Sequence, residues 1–534
     1  MAAGLQSCPS EILNIIIDHL VITIGPKAVF LRTVNRAFDS AILDAICVRQ
    51  VIDSKDIWWA MSSAIQGRIA EVKSRSAEAA SEDWLSVIAS VNRALDTLTG
   101  ETDEKLLKQR HEAVAETVYR GINPPDKVCD AKWEAQNLLS GAIIIGSLPI
   151  VKSILASRRE PSNSLPEVNG ATPYFGRPLV LAAGWGNLEI VRYLLDSGAR
   201  SDTICSCSTF RGDVTPIHED WNPKADSALW GVRFGNGHPA TAPSALRAAV
   251  LGGHGDIVRI LLQPEYRLPP SKTEYLAAIV AAARLDLDLI QIMLDAIGKS
   301  LSDFPGLGQE MMWEAIKYGR EDVAQMLLDK GAADVNPYVY GPSAHIYGTP
   351  LQYAALIGST NMMRFFLERG AIVNVIEKAS CVLQPIEGAA QCGHVEGIDM
   401  LLEQGAEPVD ALRSAAKSGQ LHVVRLLLDK FPDLIQRNKG EIGRSAVFWA
   451  LTRKNLAVLT LLVERGASLN EGYENPPEGL PINMIKGGYG SWVVNHLISL
   501  GAEETDVDTL EESYFPSVRG VRVREHTWQW AGKY

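Results

Sequence analysis

A phrase that recurs along the chain constrains its fold more than any other feature. One copy reads Pro178-Leu179-Val180-Leu181-Ala182-Ala183-Gly184-Trp185-Gly186, followed by Asn187-Leu188-Glu189-Ile190-Val191-Arg192-Tyr193-Leu194-Leu195-Asp196-Ser197-Gly198-Ala199. Its spacing predicts a short apolar helix ending at a glycine, a second, amphipathic helix, and a closing Gly-Ala pair. The phrase returns at 246–262 and 349–371, near 309–332, 385–406, 410–428, 445–467 and 480–502, and in weaker form near 138–157 and 273–298. The glycine of the closing pair falls at Gly331, Gly370, Gly405, Gly466 and Gly501, in steps of 39, 35, 61 and 35 residues, the long step holding two shortened copies. One alanine site of the first helix recurs as Ala182, Ala249, Ala281, Ala315, Ala354, Ala389, Ala415 and Ala450. Small residues there let neighbouring first helices approach closely, while the Ile-Val and Leu-Leu pairs of the second helix fill the layer between copies. The glycines after the first helix, among them Gly186, Gly253, Gly358 and Gly393, suit a left-handed helix stop. Thr349-Pro350 places proline at the first helical position. No single copy can bury its own apolar face, so stability is a sum over neighbouring interfaces.

This pattern resembles the ankyrin repeat, across about ten repeats between residues 138 and 502. The Thr-Pro-Leu-His signature of that family persists as Thr349-Pro350-Leu351-Gln352 and, less closely, as Arg177-Pro178-Leu179-Val180. Lys454 and Tyr489 stand where a stop glycine is expected. The resemblance implies an all-α solenoid in which the residues just before each stop glycine face a binding groove. Here those are Trp185, Lys317, Tyr318, Ile357, Cys392, Lys417 and Arg453. A mixture of aromatic and basic side chains suits protein recognition, because aromatics and arginine supply much of the energy at interface hot spots; packing against the repeat fingers is the plainer alternative. The resemblance also implies a structural hydrogen-bonding role for His254 and His394, which follow stop glycines.

The first fifty residues follow another pattern. Cys8-Pro9-Ser10-Glu11-Ile12-Leu13-Asn14-Ile15-Ile16-Ile17-Asp18-His19-Leu20 starts a helix with an apolar stripe, and after Gly25-Pro26 a second helix runs through Leu31-Arg32-Thr33-Val34-Asn35-Arg36-Ala37-Phe38. Apolar positions on several faces predict a surface that docks onto something. The order is similar to an F-box, the helical module that binds the Skp-type adaptor of cullin ubiquitin ligases. That resemblance implies that Pro9, Ile12, Ile16 and Leu20 face the adaptor and that Leu31 and Phe38 brace the helices. A plain cap on the open end of the array is the alternative. Residues 51–137 read as a helical spacer, broken at Asn123-Pro124-Pro125-Asp126.

Between the copies ending near Asp202 and starting near Ser244 lies an insertion, 203–243, carrying Cys205, Cys207, His218, Glu219, Asp220, Trp221, Trp230 and His238. Its length and aromatic content predict an ordered lobe that contributes Trp221 and Trp230 to the binding groove. A Cys-x-Cys pair is tighter than the spacing structural zinc prefers, so no metal is expected. His218 and Asp220 are the candidates for proton transfer in a competing reading, an enzyme acting on a small molecule enclosed by the insertion and the tail. The chain shows no phosphate-cradling loop, no His-Glu-x-x-His helix and no nucleophile elbow, and no cofactor is expected. The tail, 503–534, stays aromatic to Tyr534 and is expected to pack on the last repeats.

Composition sets limits on partners. With 51 Lys+Arg against 63 Asp+Glu the chain carries −12, which argues against sequence-independent binding to nucleic acid or to an anionic membrane surface. The opening residues lack the basic start and apolar core of an export signal. Seven cysteines, mostly far apart, do not suggest a disulfide framework. A cytoplasmic or nuclear protein is expected. The reading that follows is a scaffold for protein–protein contacts: ankyrin-like repeats gripping an unknown target protein, and an F-box-like end delivering it to a ubiquitin ligase.

Overall fold

The computed structural model describes residues 10–24, 36–49, 51, 63–76, 83–118, 131–156, 166–172, 174–202, 242, 244–269, 273–337, 348–375, 383–437, 442–453, 455–470 and 491–503. Among them the chain is helical, with no strand and an isolated bridge between Thr172 and Gly176. It divides at Leu307 into two compact units.

The first unit begins with the helix Ser10–Ile24, which buries Ile17 and Val21 against Ala41 and Ile42 of the helix Arg36–Leu43 and against Ala45, Ile46 and Cys47 of the π-helical turn Asp44–Val48. Ile65 and Ile69 of the helix Ser63–Ser74 complete the same core, so the N-terminal helices and the start of the spacer share one packed interior. Arg49 pins the outside, its guanidinium meeting Asp18 at 2.7 Å. The helices Asp83–Thr99 and Glu104–Thr117 follow, the latter started by Asp103, whose carboxylate accepts from the Leu106 amide. Gly67 lets the helices Ser63–Ser74 and Glu104–Thr117 touch backbone to backbone: a Cβ there would fall 2.8 Å from the Glu116 Cα. Helix pairs then succeed one another, Ala131–Ile144 with Leu148–Ala156, Pro178–Gly184 with Leu188–Asp196, Ala245–Leu251 with Gly255–Leu261, and Thr273–Ala282 with Leu287–Ile297.

The second unit repeats the plan. Its pairs are Leu307–Lys317 with Glu321–Asp329, Pro350–Ile357 with Thr360–Leu367, Pro385–Cys392 with Val395–Glu403, Pro408–Ser418 with Leu421–Lys430, and Ile442–Thr452 with Leu456–Glu464, followed by Ser491–Ser499.

The repeat at Thr349 shows why the sequence folds this way. The Thr349 hydroxyl accepts from the Gln352 amide while the Gln352 side chain accepts from the Thr349 amide, a reciprocal cap ahead of Pro350. Gly358 ends the helix at φ +74°, a left-handed conformation that side-chain-bearing residues adopt only at a cost. The second helix buries Met362, Met363, Phe365 and Phe366. In both units the eight aligned alanines are completely buried, which is what close contact between neighbouring first helices requires.

Two ladders of polar links join successive layers. On one side, the residue that opens the second helix donates to a carbonyl at the end of the preceding first helix. Asn187 reaches Ile143 O at 2.6 Å, His254 reaches Gly184 O at 3.3 Å, His394 reaches Leu356 O at 3.2 Å, and Asn455 reaches Ala416 O at 3.0 Å. The His254 ring lies directly over Gly186, and the His394 ring over Gly358, where any Cβ would collide with it. On the other side, Asn169, Asn336, Asn374 and Asn470 donate to Gly198 O, Gly370 O, Gly405 O and Gly501 O at 2.9–3.0 Å. Such bonds contribute about 0.5–1.5 kcal/mol each, and they fix the register between layers that apolar contact alone leaves loose.

Candidate functional site

In the second unit the helices Pro385–Cys392, Pro408–Ser418 and Ile442–Thr452 lie side by side and bring a charged and aromatic cluster together. Arg413 bridges from its own Asp410, at 2.7 Å, to Glu387 of the preceding repeat, at 2.8 Å. One turn later Lys417 sets its ammonium 4.3 Å from the centre of the Trp449 ring. Phe448 meets Trp449 edge-on. Arg453 is exposed at the end of the last helix of the three. Burial, and then the neighbouring Arg453, hold the Lys417 ammonium below the usual lysine range; Glu387 opposes the shift and Arg413 adds to it. The Ser418 hydroxyl is buried and has no hydrogen-bond partner among the described residues. Cys392 is half-buried, and burial pushes its thiol up to about 11, so it is neutral at physiological pH and a poor nucleophile.

The other residues singled out from the sequence are dispersed. Trp185 is half-buried in the first unit, with its indole N–H donated to the Thr117 hydroxyl at 3.2 Å. Tyr318 is 45% exposed, with Lys317 close to its ring. On the helix Ser10–Ile24, Ile12 and Ile16 are exposed, while Leu20 packs against the buried core. Ile15, which sequence reasoning passed over, is the most exposed of this set at 69%, and its place three residues after Ile12 was the available signal. Trp449 was also missed, although Phe448-Trp449 directly precedes an aligned alanine. Pro9, Leu31, His218, Asp220, Trp221 and Trp230, the Phe38 side chain, and nearly all of the insertion and the tail lie outside the described residues. Among the described residues no helix is long and apolar enough to cross a membrane.

Comparison with known proteins agrees with the repeat architecture. The family model described as "Ankyrin repeat" matches residues 177–205 and 348–378. Over 278 residues, 49% of this chain, the sequence is 28% identical to the ankyrin repeat and KH domain-containing protein mask-1 of Caenorhabditis elegans, covering 10% of that protein. Over 303 residues, 56% of the chain, it is 25% identical to an ankyrin repeat domain-containing protein of Stachybotrys chartarum, covering 12% of it. A 72-residue stretch is 39% identical to diacylglycerol kinase iota of Homo sapiens, 13% of this chain and 7% of that one. The chain thus spans about a tenth of the length of these curated relatives. It carries ankyrin repeats, a module for protein–protein interaction.

Proposed function

We propose that this protein is the target-recognition subunit of a cullin-type ubiquitin ligase: the repeats hold a target protein and the N-terminal helices dock on a Skp-type adaptor. The observation that carries this reading is the division of the helix Ser10–Ile24 into two apolar faces. Ile17 and Val21 face inward and are completely buried, while Ile12, Ile15 and Ile16 stand 48%, 69% and 43% exposed on the outside. Spacings of three and four residues put those three side chains on one stripe. A helix whose inner face is already packed has no folding reason to keep a second isoleucine stripe in water, and such a stripe suits a helix-in-groove contact. Covering the part of each isoleucine that is still in water releases about 0.7–2 kcal/mol.

The test is capture of purified Skp-type adaptor by the full chain and by an Ile12→Asp/Ile16→Asp variant, with circular dichroism to check folding. Capture by the wild type and loss in the variant supports the assignment. Equal capture by both, or capture by neither, removes it.

A further inference from the structure

We propose that Lys417, Trp449 and Arg453 form the seat for a short acidic segment of the protein that the repeats bind. The inference rests on the repeats being the partner-holding part of the molecule and is independent of the adaptor.

The argument starts from an imbalance of charge. Glu387, the carboxylate that acts on Lys417, is already bonded by Arg413, as is Asp410. Lys417 is therefore left half-buried, resting on the face of Trp449 and repelled by two arginines, with no ion pair of its own among the described residues. A partly desolvated cation without an anion is costly, and a carboxylate arriving from outside removes that cost. Arg453 lies at the exposed end of the neighbouring helix and offers a second landing point. The buried Ser418 hydroxyl, next to Lys417 in the chain, has hydrogen-bonding capacity unused among the described residues. The half-buried Trp449 and Phe448 rings, edge to face with each other, add an apolar element to the cluster that suits an aromatic or aliphatic side chain.

The wider charge pattern favours a short acidic peptide over a nucleic acid. The chain carries −12 in all, so the basic cluster is a local exception on an acidic background. A long polyanion needs many lysine and arginine contacts along its track, and it meets repulsion beyond this cluster. A short segment with a carboxylate at Lys417, another near Arg453 and an apolar residue between them engages the cluster alone.

The experiment is selection from a random library of short peptides displayed against the full chain, followed by affinity measurement with the most enriched peptide. The expected enriched sequences are acidic and contain an aromatic or aliphatic residue. Arg453→Glu and Lys417→Glu are expected to weaken binding by roughly tenfold or more, and added salt to weaken it further. Lys417 sits on Trp449, so thermal melts accompany its variant, and the exposed Arg453→Glu is decisive by itself. Arg425→Glu, an exposed charge on a second helix, and Ile12→Asp/Ile16→Asp are expected to bind the peptide as the wild type does. The proposal is overturned by no enrichment, by neutral or basic enriched peptides, by undiminished affinity in Arg453→Glu, or by a single-stranded oligonucleotide that competes as well as the peptide. Failure of adaptor capture touches none of these readouts, so the two proposals fail separately.

Discussion

Replacing Arg247 by Met tests the energetics of the layered array at its most sensitive point. Arg247 of one first helix and Glu274 of the next are 3% and 5% exposed and meet at 3.3 Å, with the Ser244 hydroxyl also on the carboxylate. Burial raises the Glu274 carboxyl above its ordinary 4.5, and Arg247 is the main force pulling it back. In Arg247→Met the carboxyl keeps its burial and loses its cation, so its value climbs and it takes up a proton to remain inside. Keeping a carboxyl of ordinary value 4.5 protonated at pH 7, at 1.36 kcal/mol per pH unit, costs about 3.4 kcal/mol. That sits within the about 3–5 kcal/mol typical of breaking a buried pair from one side. At pH 5 the same cost falls to about 0.7 kcal/mol, because that pH lies only half a unit above 4.5 and about a quarter of the unfolded carboxyl is then itself protonated. The sign follows: the folded variant holds a proton that the unfolded chain releases above 4.5, so its stability falls as pH rises. Urea unfolding at pH 5 and pH 7, with hydrogen exchange read on peptides spanning 245–282, measures the loss globally and locally. A loss of the same size at both pH values refutes the reasoning. Arg247→Met/Glu274→Leu, which removes both charges, is expected to recover most of the stability at pH 7.

Two further predictions follow from the contacts between helices. Burial holds His394 below the ordinary histidine value, with its bond to the Leu356 carbonyl partly opposing. The unfolded chain therefore protonates first, and the contribution of His394 is complete above about pH 6.5 and lost as pH falls through that value toward the lower folded one. His394→Asn, which copies the donor that Asn455 supplies in a later repeat, is expected to flatten that part of the stability–pH curve; an unchanged slope in urea titrations from pH 5 to pH 8 counts against the assignment. Gly67→Ala drives a Cβ to 2.8 Å from the Glu116 backbone and is expected to cost about 1–3 kcal/mol. Thermal melts and limited proteolysis are expected to show the damage in the N-terminal helices and spacer, and a melt unchanged from wild type would mean that the two helices separate freely.

The repeat was legible in the sequence because its constraints are local. A left-handed stop such as Gly358, a capped proline start such as Thr349-Pro350 and a close-packed alanine such as Ala415 each leave a mark at a fixed offset in the chain. The charged and aromatic cluster around Lys417 was half legible. Lys417 and Arg453 stood out by position, but Trp449 reaches Lys417 from the next repeat, and the sequence does not register which neighbour a long side chain meets. The Arg247–Glu274 pair stayed hidden for the same reason, since an arginine in the fourth place of a Thr-Pro-Leu-His-like start has no visible counterpart until the next layer is placed against it. The asparagine ladder had a signal that went unread: Ala371-x-x-Asn374 and Ala467-x-x-Asn470 repeat one offset after the closing Gly-Ala pair. The helix Ser63–Ser74 joining the N-terminal core had none, because its ties to Ile17 and Ile42 span dozens of residues.

The asparagine rungs carry a consequence for how such a chain changes over generations. Each is fastened to the layer beside it and to nothing farther off, so a duplicated layer arrives with its own fastenings and asks for no revision at a distance. Length is then a quantity that gene duplication can adjust in whole steps, while the residues that choose a partner drift independently on each tread.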